Sequence, residues 1–187
     1  RISGICPPAR GMAAMTGSPF YLLDSDVFIT AKNTYYAFDI CPGFWDSLLE
    51  MHQRGRVFSI DRVHEELLFG RKSEDLVQWV KKQVPASFFI DSDEAVGDRY
   101  GDIMLWAQRN TQYSGGARAK FATGADGWLV AFASVRNAVV VTNEQPAPQS
   151  QGSIKLPDVC QAFNVVHENI FDMLRKLLVQ FNFAKSP

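Results

Sequence analysis

Cysteine is scarce in this chain: three among 187 residues, at Cys6, Cys41 and Cys160, with no CxxC spacing. An odd count without paired spacing argues against a disulfide framework or a structural zinc site and fits a reducing cytoplasm. Cys41 and Cys160 read as small buried hydrophobes. Histidine is equally sparse. His52, His64 and His167 are scattered, with neither HxH nor HExxH spacing, so no imidazole-built metal site is expected. Long hydrophobic runs are missing too. Trp128 to Ala133 is one of the longest, far short of the ~20 residues that span a bilayer, so no membrane role is expected. Nor does one sign of charge dominate: 19 Lys plus Arg oppose 20 Asp plus Glu, for a formal net charge of -1. Such a chain is not a basic coat for nucleic acid. Contact with nucleic acid must come from a local patch or from bound cations.

What is present is a core. Hydrophobic residues make up 47% of the chain, with 14 Phe and 4 Trp, and 187 residues suffice for one sizeable domain. Residues 1–19 are rich in Gly, Pro, Ala and Ser and lack periodicity; they are expected to be a disordered extension or an expression remnant. They lack the apolar stretch of a secretory signal. A single domain is expected over residues 20–183.

The ordered part alternates strands and helices. Phe20 to Ile29 reads as a buried parallel strand interrupted by Asp24-Ser25-Asp26. Pro42-Gly43 opens a helix that Gly55 ends. Val57 to Ile60 is a second strand, and Asp61 is placed to cap a helix over Arg62 to Phe69. Ser73 is placed to cap another, with Leu76, Val77, Trp79 and Val80 on its apolar face. Phe88 to Ile90 is a short strand or a buried connection. Ser92 is expected to cap a long helix carrying Val96, Tyr100, Ile103, Met104 and Ala107. Ser114-Gly115-Gly116 reads as a break, followed by a short basic segment. Asp126 to Arg136 is an apolar helix, and Ala138 to Val141 a β-branched strand. Pro157 suits the first turn of a helix. Val165-Val166 is a candidate last strand, and a helix is expected from Glu168 to about Phe181. This order implies an α/β fold with a mostly parallel sheet wrapped on both faces.

Four acids share a kind of position. Asp24 follows the first strand, Glu66 lies in the helix after the second, Asp126 opens a helix, and Glu144 follows the Val139-Val140-Val141 strand. A parallel sheet gathers its strand ends, and the helix starts that follow them, on one edge. Gathered carboxylates repel and raise one another's pKa values, a cost that a divalent cation removes. Mg²⁺ or Mn²⁺ suits such a set because it takes hard oxygen ligands and keeps several waters. Two such ions about 3.5–4 Å apart activate a water and stabilise the leaving oxygen of a phosphodiester. Each acid also has a plainer reading as a cap, turn or solvated residue. That reading is weakest for Asp24, whose charge interrupts an apolar run.

These stretches resemble the motifs of PIN domains. Leu22-Leu23-Asp24-Ser25-Asp26-Val27 resembles the opening strand, and Val63-His64-Glu65-Glu66-Leu67 the second motif. Ala125-Asp126-Gly127-Trp128 resembles the third, and Val140-Val141-Thr142-Asn143-Glu144 the fourth. Order and spacing match from Tyr21 to about Leu178. Leu76 to Val80 and Lys155-Leu156-Pro157-Asp158-Val159-Cys160 are similar to features of a bacterial PIN-like subgroup catalogued as a domain of unknown function. Two departures stand out: Glu144 replaces the usual Asp, and the stretch from Leu68 to Ala125 is long.

The resemblance implies a three-layer fold around a five-stranded sheet, Mg²⁺ or Mn²⁺ dependence and ribonuclease activity. Many relatives are toxins of toxin–antitoxin pairs, often dimeric and held inactive by a protein partner. An RNA substrate, an antitoxin, a homodimer and a cytoplasmic location are therefore the expected context. Asp24, Glu66, Asp126 and Glu144 are the expected catalytic metal ligands, with Asp26 and Asp158 as outer candidates that orient bound waters. Thr142 is a candidate hydrogen-bond partner of a carboxylate, and Lys155 of a phosphate. Arg118 and Lys120 are candidates to steer an RNA backbone, and Tyr35, Tyr36 and Phe38 to stack bases. Two other readings compete. One is a non-catalytic PIN-like module that binds RNA or protein. The other is a haloacid-dehalogenase-like phosphatase using Asp24-Ser25-Asp26, for which the final paired-acid motif is missing. A receiver-type signalling domain fits less well, for want of a phosphoacceptor Asp after the third strand.

Overall fold

A single carboxylate divides the first apolar run. The computed structural model describes residues 19–69 and 74–182. Within them Tyr21–Leu23 forms a fully buried strand, β1. Asp24 is still extended, and helix α1 (Ser25–Thr30) starts directly after it. A π-helical turn, Ala31–Tyr35, continues it. The strand expected through Ile29 is thus a strand and a helix. Val27 and Phe28 are buried on the helix, and adjacent buried residues in so short a run suit either period.

The following elements keep closer to expectation. Helix α2 (Pro42–Gln53) opens on its proline. Gly55, at φ 70°, takes the left-handed turn that leads into β2 (Val57–Ile60). Helix α3 spans Asp61–Leu68. Asp61 is its first residue rather than its cap, and its Oδ1 accepts the Arg62 N–H at 2.8 Å. Helix α4 is Asp75–Lys82, and β3 is Phe89–Ile90. The expectations for residues 1–18, Cys6 among them, and for a Ser73 cap lie outside the described residues.

Three helix boundaries differ from the sequence reading. Helix α5 (Glu94–Arg109) is capped by Asp93, whose side chain accepts the Val96 N–H at 3.1 Å. Ser92 instead donates its hydroxyl to Asp61. The expected break at Ser114-Gly115-Gly116 is a helix start: Ser114 caps α6 (Gly115–Thr123), and its hydroxyl accepts the Ala117 N–H. A good cap outweighs two glycines there. Helix α7 (Asp126–Arg136) ends in left-handed Asn137, and β4 is Val139–Val141. Helix α8 (Leu156–Ala162) carries Pro157 in its first turn. The last strand, β5, is His167–Glu168, two residues later than expected. The final helix, α9 (Ile170–Lys176), ends short of Phe181 because Leu178 turns the chain at φ 58°.

The strand order is β3-β2-β1-β4-β5, and every pairing is parallel. Central β1 pairs Tyr21 with both Val57 and Val139. Helices flank the sheet in a three-layer α/β arrangement. Helix α2 packs on β2, α3 on α4, α5 along α7, and α7 against α8. Leu22, Phe28, Phe44, Phe88, Ile103, Leu129 and Val140 lie in the core with no exposed surface. Gly127 lets α7 approach α5 closely: a Cβ there would meet Met104 Cε at 2.8 Å and the Tyr100 ring at 3.0 Å. Among the described residues no helix is long and apolar enough to cross a membrane.

Candidate functional site

Strand β1 delivers Asp24 to the carboxyl edge of the sheet. Its N–H bonds the carbonyl of Val141, the last residue of β4, at 3.0 Å. The buried Ser59 hydroxyl donates to the Leu23 carbonyl at 2.6 Å, which ties the end of β1 to β2. Strand β4 delivers Thr142 beside it, and the Thr142 hydroxyl donates to Asp24 Oδ2 at 2.9 Å. That same hydroxyl accepts the Glu144 N–H at 3.2 Å.

Glu66 and Asp126 come from helices that meet. Glu66 Oε1, on α3, accepts the N–H of Ala125 at 2.9 Å, immediately before Asp126 opens α7. Glu144 is held by the Lys155 ammonium at 2.7 Å. Its other oxygen accepts the Leu156 N–H at 3.0 Å, at the start of α8. Asp26 accepts the Thr30 hydroxyl at 2.8 Å and the Asn143 N–H at 3.3 Å. It thereby ties α1 to the loop after β4.

The electrostatics join these residues. Burial pushes Asp24 up to about 7, against the pull of the Thr142 hydrogen bond, and the charges of Asp26, Glu144 and Glu66 add to the rise. Burial likewise pushes Asp126 up to about 8, followed by the charges of Asp24, Glu144 and Glu66, with Lys155 opposing. The hydrogen bond to Glu144 raises Lys155, and Glu144, Asp126 and Asp26 reinforce it. Glu66 and Glu144, from two other chain segments, thus act on both Asp24 and Asp126.

Most of the other expected residues have partners of their own. Both oxygens of Asp158 accept the Ala147 N–H, at 3.2 and 3.1 Å, which fastens the loop before α8. Arg118 donates to the Gln108 carbonyl at 3.0 Å, toward the end of α5. Lys120 is exposed on α6. Tyr36 stacks on Phe44 at 4.2 Å and Phe38 on Trp45 at 4.0 Å, so both rings pack against α2. Tyr35 stays largely exposed. His52 bonds Val57 and Ser87, and His64 stacks on Phe89.

The sequence reading missed Cys160 as a neighbour of the site. Its thiol is pushed up to about 12, by burial first and then by Asp126 and Asp24. Only the buried face of α8, readable from Leu156, Val159 and Cys160, signals that position.

Among the described residues no three His, Cys, Asp or Glu side chains stand in position to hold one ion as they are arranged. The donor set is nonetheless all carboxylate oxygen, the chemistry that Mg²⁺ and Mn²⁺ accept. Glu66 and Glu144 have the longer, jointed arms, and each now bonds a backbone N–H. In donor chemistry the residues fit a hard divalent cation. Closing on one would require these side chains to move from their present positions.

The chain belongs to the family described as a domain of unknown function (DUF4411), whose profile matches residues 21–181. No curated protein matches it. Among solved structures it is similar to FitAB bound to an IR36 DNA fragment, at 20% identity and a TM-score of 0.50, covering 80% of this chain and 94% of that one. It is also similar to VapBC2 from Rickettsia felis bound to a DNA fragment from its promoter, at 18% identity and a TM-score of 0.50, covering 80% and 98%. These likenesses show that the chain shares the fold of those two proteins.

Proposed function

We propose that this chain is a divalent-metal-dependent ribonuclease, with residues 20–183 acting as one PIN-like domain. The observation that carries the reading is that burial, and after it the charges of Glu66 and Glu144, raise both Asp24 and Asp126, with Asp24 adding to the rise of Asp126. A fold that buries two acids beside further carboxylates, so that their charged forms are disfavoured, is suited to holding cations.

In this reading Asp24, Glu66 and Asp126 hold Mg²⁺ or Mn²⁺, directly or through water, and Glu144 completes the set. Ions bound there would activate a water and stabilise the leaving oxygen of an RNA phosphodiester. Thr142 orients the Asp24 carboxylate through its hydroxyl. Asp26 keeps α1 and the Asn143 backbone in register. Lys155 neutralises Glu144 and, released from it, would meet a substrate phosphate. Asp158 serves by holding the loop ahead of Lys155.

A toxin role in a toxin–antitoxin pair, in the cytoplasm, follows from the resemblance to PIN toxins, with an antitoxin and a second copy as partners. Its support is the fold shared with FitAB and VapBC2. A non-catalytic binding module is the second reading, favoured by the Lys155–Glu144 ion pair that already neutralises one acid. The separating experiment is cleavage of a single-stranded RNA with Mn²⁺. The nuclease reading expects cleavage by the parent and at least a hundredfold loss in Asp24→Asn and Asp126→Asn. Variants that cut as well as the parent preparation would refute the site.

A further inference from the structure

We infer that the cleft between α3 and the start of α7 is a nucleobase subsite, holding the base of a nucleotide whose phosphate lies at the acidic cluster; the inference rests on the ribonuclease reading. The cleft has a volume of about 380 Å³ and is lined by Arg62, Glu65, Glu66, Phe69, Gly124 and Trp128, among others. Glu66 is the shared wall: it lines the cleft and contributes to the field on Asp24 and Asp126. A nucleotide bound at the acids therefore has this cleft as its neighbour.

The lining suits a flat heterocycle. Trp128 stacks on Tyr100 at 3.9 Å with an interplanar angle of 11°. The Arg62 guanidinium lies 5.2 Å from the Trp128 ring centroid. Tyr100 is tied in place through its hydroxyl to the Ala122 carbonyl at 3.1 Å. Tyr100 and Arg62 thus occupy the faces of Trp128, and a base entering the cleft would stack on the backed guanidinium or on Phe69. Arg62 Nη1 donates to Glu65 at 3.2 Å, which holds the guanidinium over the Trp128 ring. Phe69, 94% exposed, is a large ring left in water at the rim, where stacking on a base would cover it. A phosphate is the poorer occupant, because Glu65 and Glu66 oppose the single Arg62 charge. A neutral base with N–H groups on its edge meets those carboxylates as a donor.

The test compares fluorescence anisotropy of two labelled strands of equal charge, decauridylate and a decamer of abasic ribose phosphates, on the parent, Phe69→Ala and Arg62→Ala. Stacking is worth about 1–3 kcal/mol per base, or roughly 5- to 150-fold in affinity. The parent should bind decauridylate about tenfold more tightly than the abasic strand, and both variants should lose most of that margin. Melting curves like the parent's would keep folding out of the comparison. Variants that keep the full margin overturn the subsite, and if the parent still cleaves RNA the ribonuclease reading survives it. A variant that binds both strands more weakly by the same factor also overturns it, because the cleft then serves the backbone or the fold. A parent that binds neither strand, or both equally, overturns the subsite, while cleavage of RNA with Mn²⁺ decides the ribonuclease reading separately.

Discussion

Asp24 and Asp126 carry a pH signature whose sign follows from their environment. Burial first, and neighbouring acids after it, hold them near 7 and 8 in the fold, against 3.8 for a free carboxyl. Below about pH 4 both folded and unfolded chains keep these protons, and nothing is lost. As pH rises toward 8 the unfolded chain has released them while the folded chain still binds them, so stability falls. Thermal melts of the metal-free protein should therefore show Tm decreasing from pH 5 to pH 8. Asp126→Asn should flatten that slope and raise Tm at pH 8 by about 4 °C or more, and millimolar Mg²⁺ or Mn²⁺ should do the same for the parent. A slope unchanged by Asp126→Asn would contradict the assignment.

Glu66 separates charge from structure at the same scale. Its Oε1 holds the Ala125 N–H, a bond that glutamine can also accept. Glu66→Gln should keep nearly the parent's stability and lose activity with Mn²⁺. Glu66→Ala should in addition cost about 1–3 kcal/mol in denaturant unfolding, because it strips a part-buried N–H of its partner. Equal stability of the two variants would show that the bond contributes nothing.

Among elements, α7 is the most constrained. It begins at a site acid and presses its Gly127 onto Met104 and Tyr100. Gly127→Val should overpack this contact and destabilise by about 1–3 kcal/mol, read as a lower Tm. It should also move Tyr100, and with it the stacked Trp128, which near-ultraviolet circular dichroism would register. A near-ultraviolet spectrum identical to the parent's would argue against the close approach.

The elements also show what could be read in advance. The β-branched run at β4 and the proline start of α2 were plain, because their residues permit little else. Phe20 to Ile29 was not. Val27 and Phe28 are buried whether the stretch is strand or helix, and the change falls on one residue, Asp24. Helix α9 misled for a similar reason: Leu177, Leu178 and Val179 continue an apolar pattern, but the chain reverses at Leu178.

At the scale of the molecule, topology does what no single segment does. Parallel strands send their carboxyl ends to one edge, so acids 102 positions apart, Asp24 and Asp126, come to share a field. That grouping was legible, because alternating strands and helices imply it. The partners were not. Lys155 reaches Glu144 across a loop of Pro, Gln and Ser, and Asp158 turns to Ala147; loop paths of this kind leave no periodicity to read. Cys160 joined the site's surroundings only because α8 packs against α7.

The most direct measurement is the anomalous difference density of a crystal of this protein soaked in Mn²⁺. The account predicts a peak in contact with both Asp24 and Asp126 and within reach of Glu66 or Glu144, absent from crystals of Asp126→Asn. A well-occupied Mn²⁺ elsewhere with none between Asp24 and Asp126, or a peak there that survives Asp126→Asn unchanged, would contradict it.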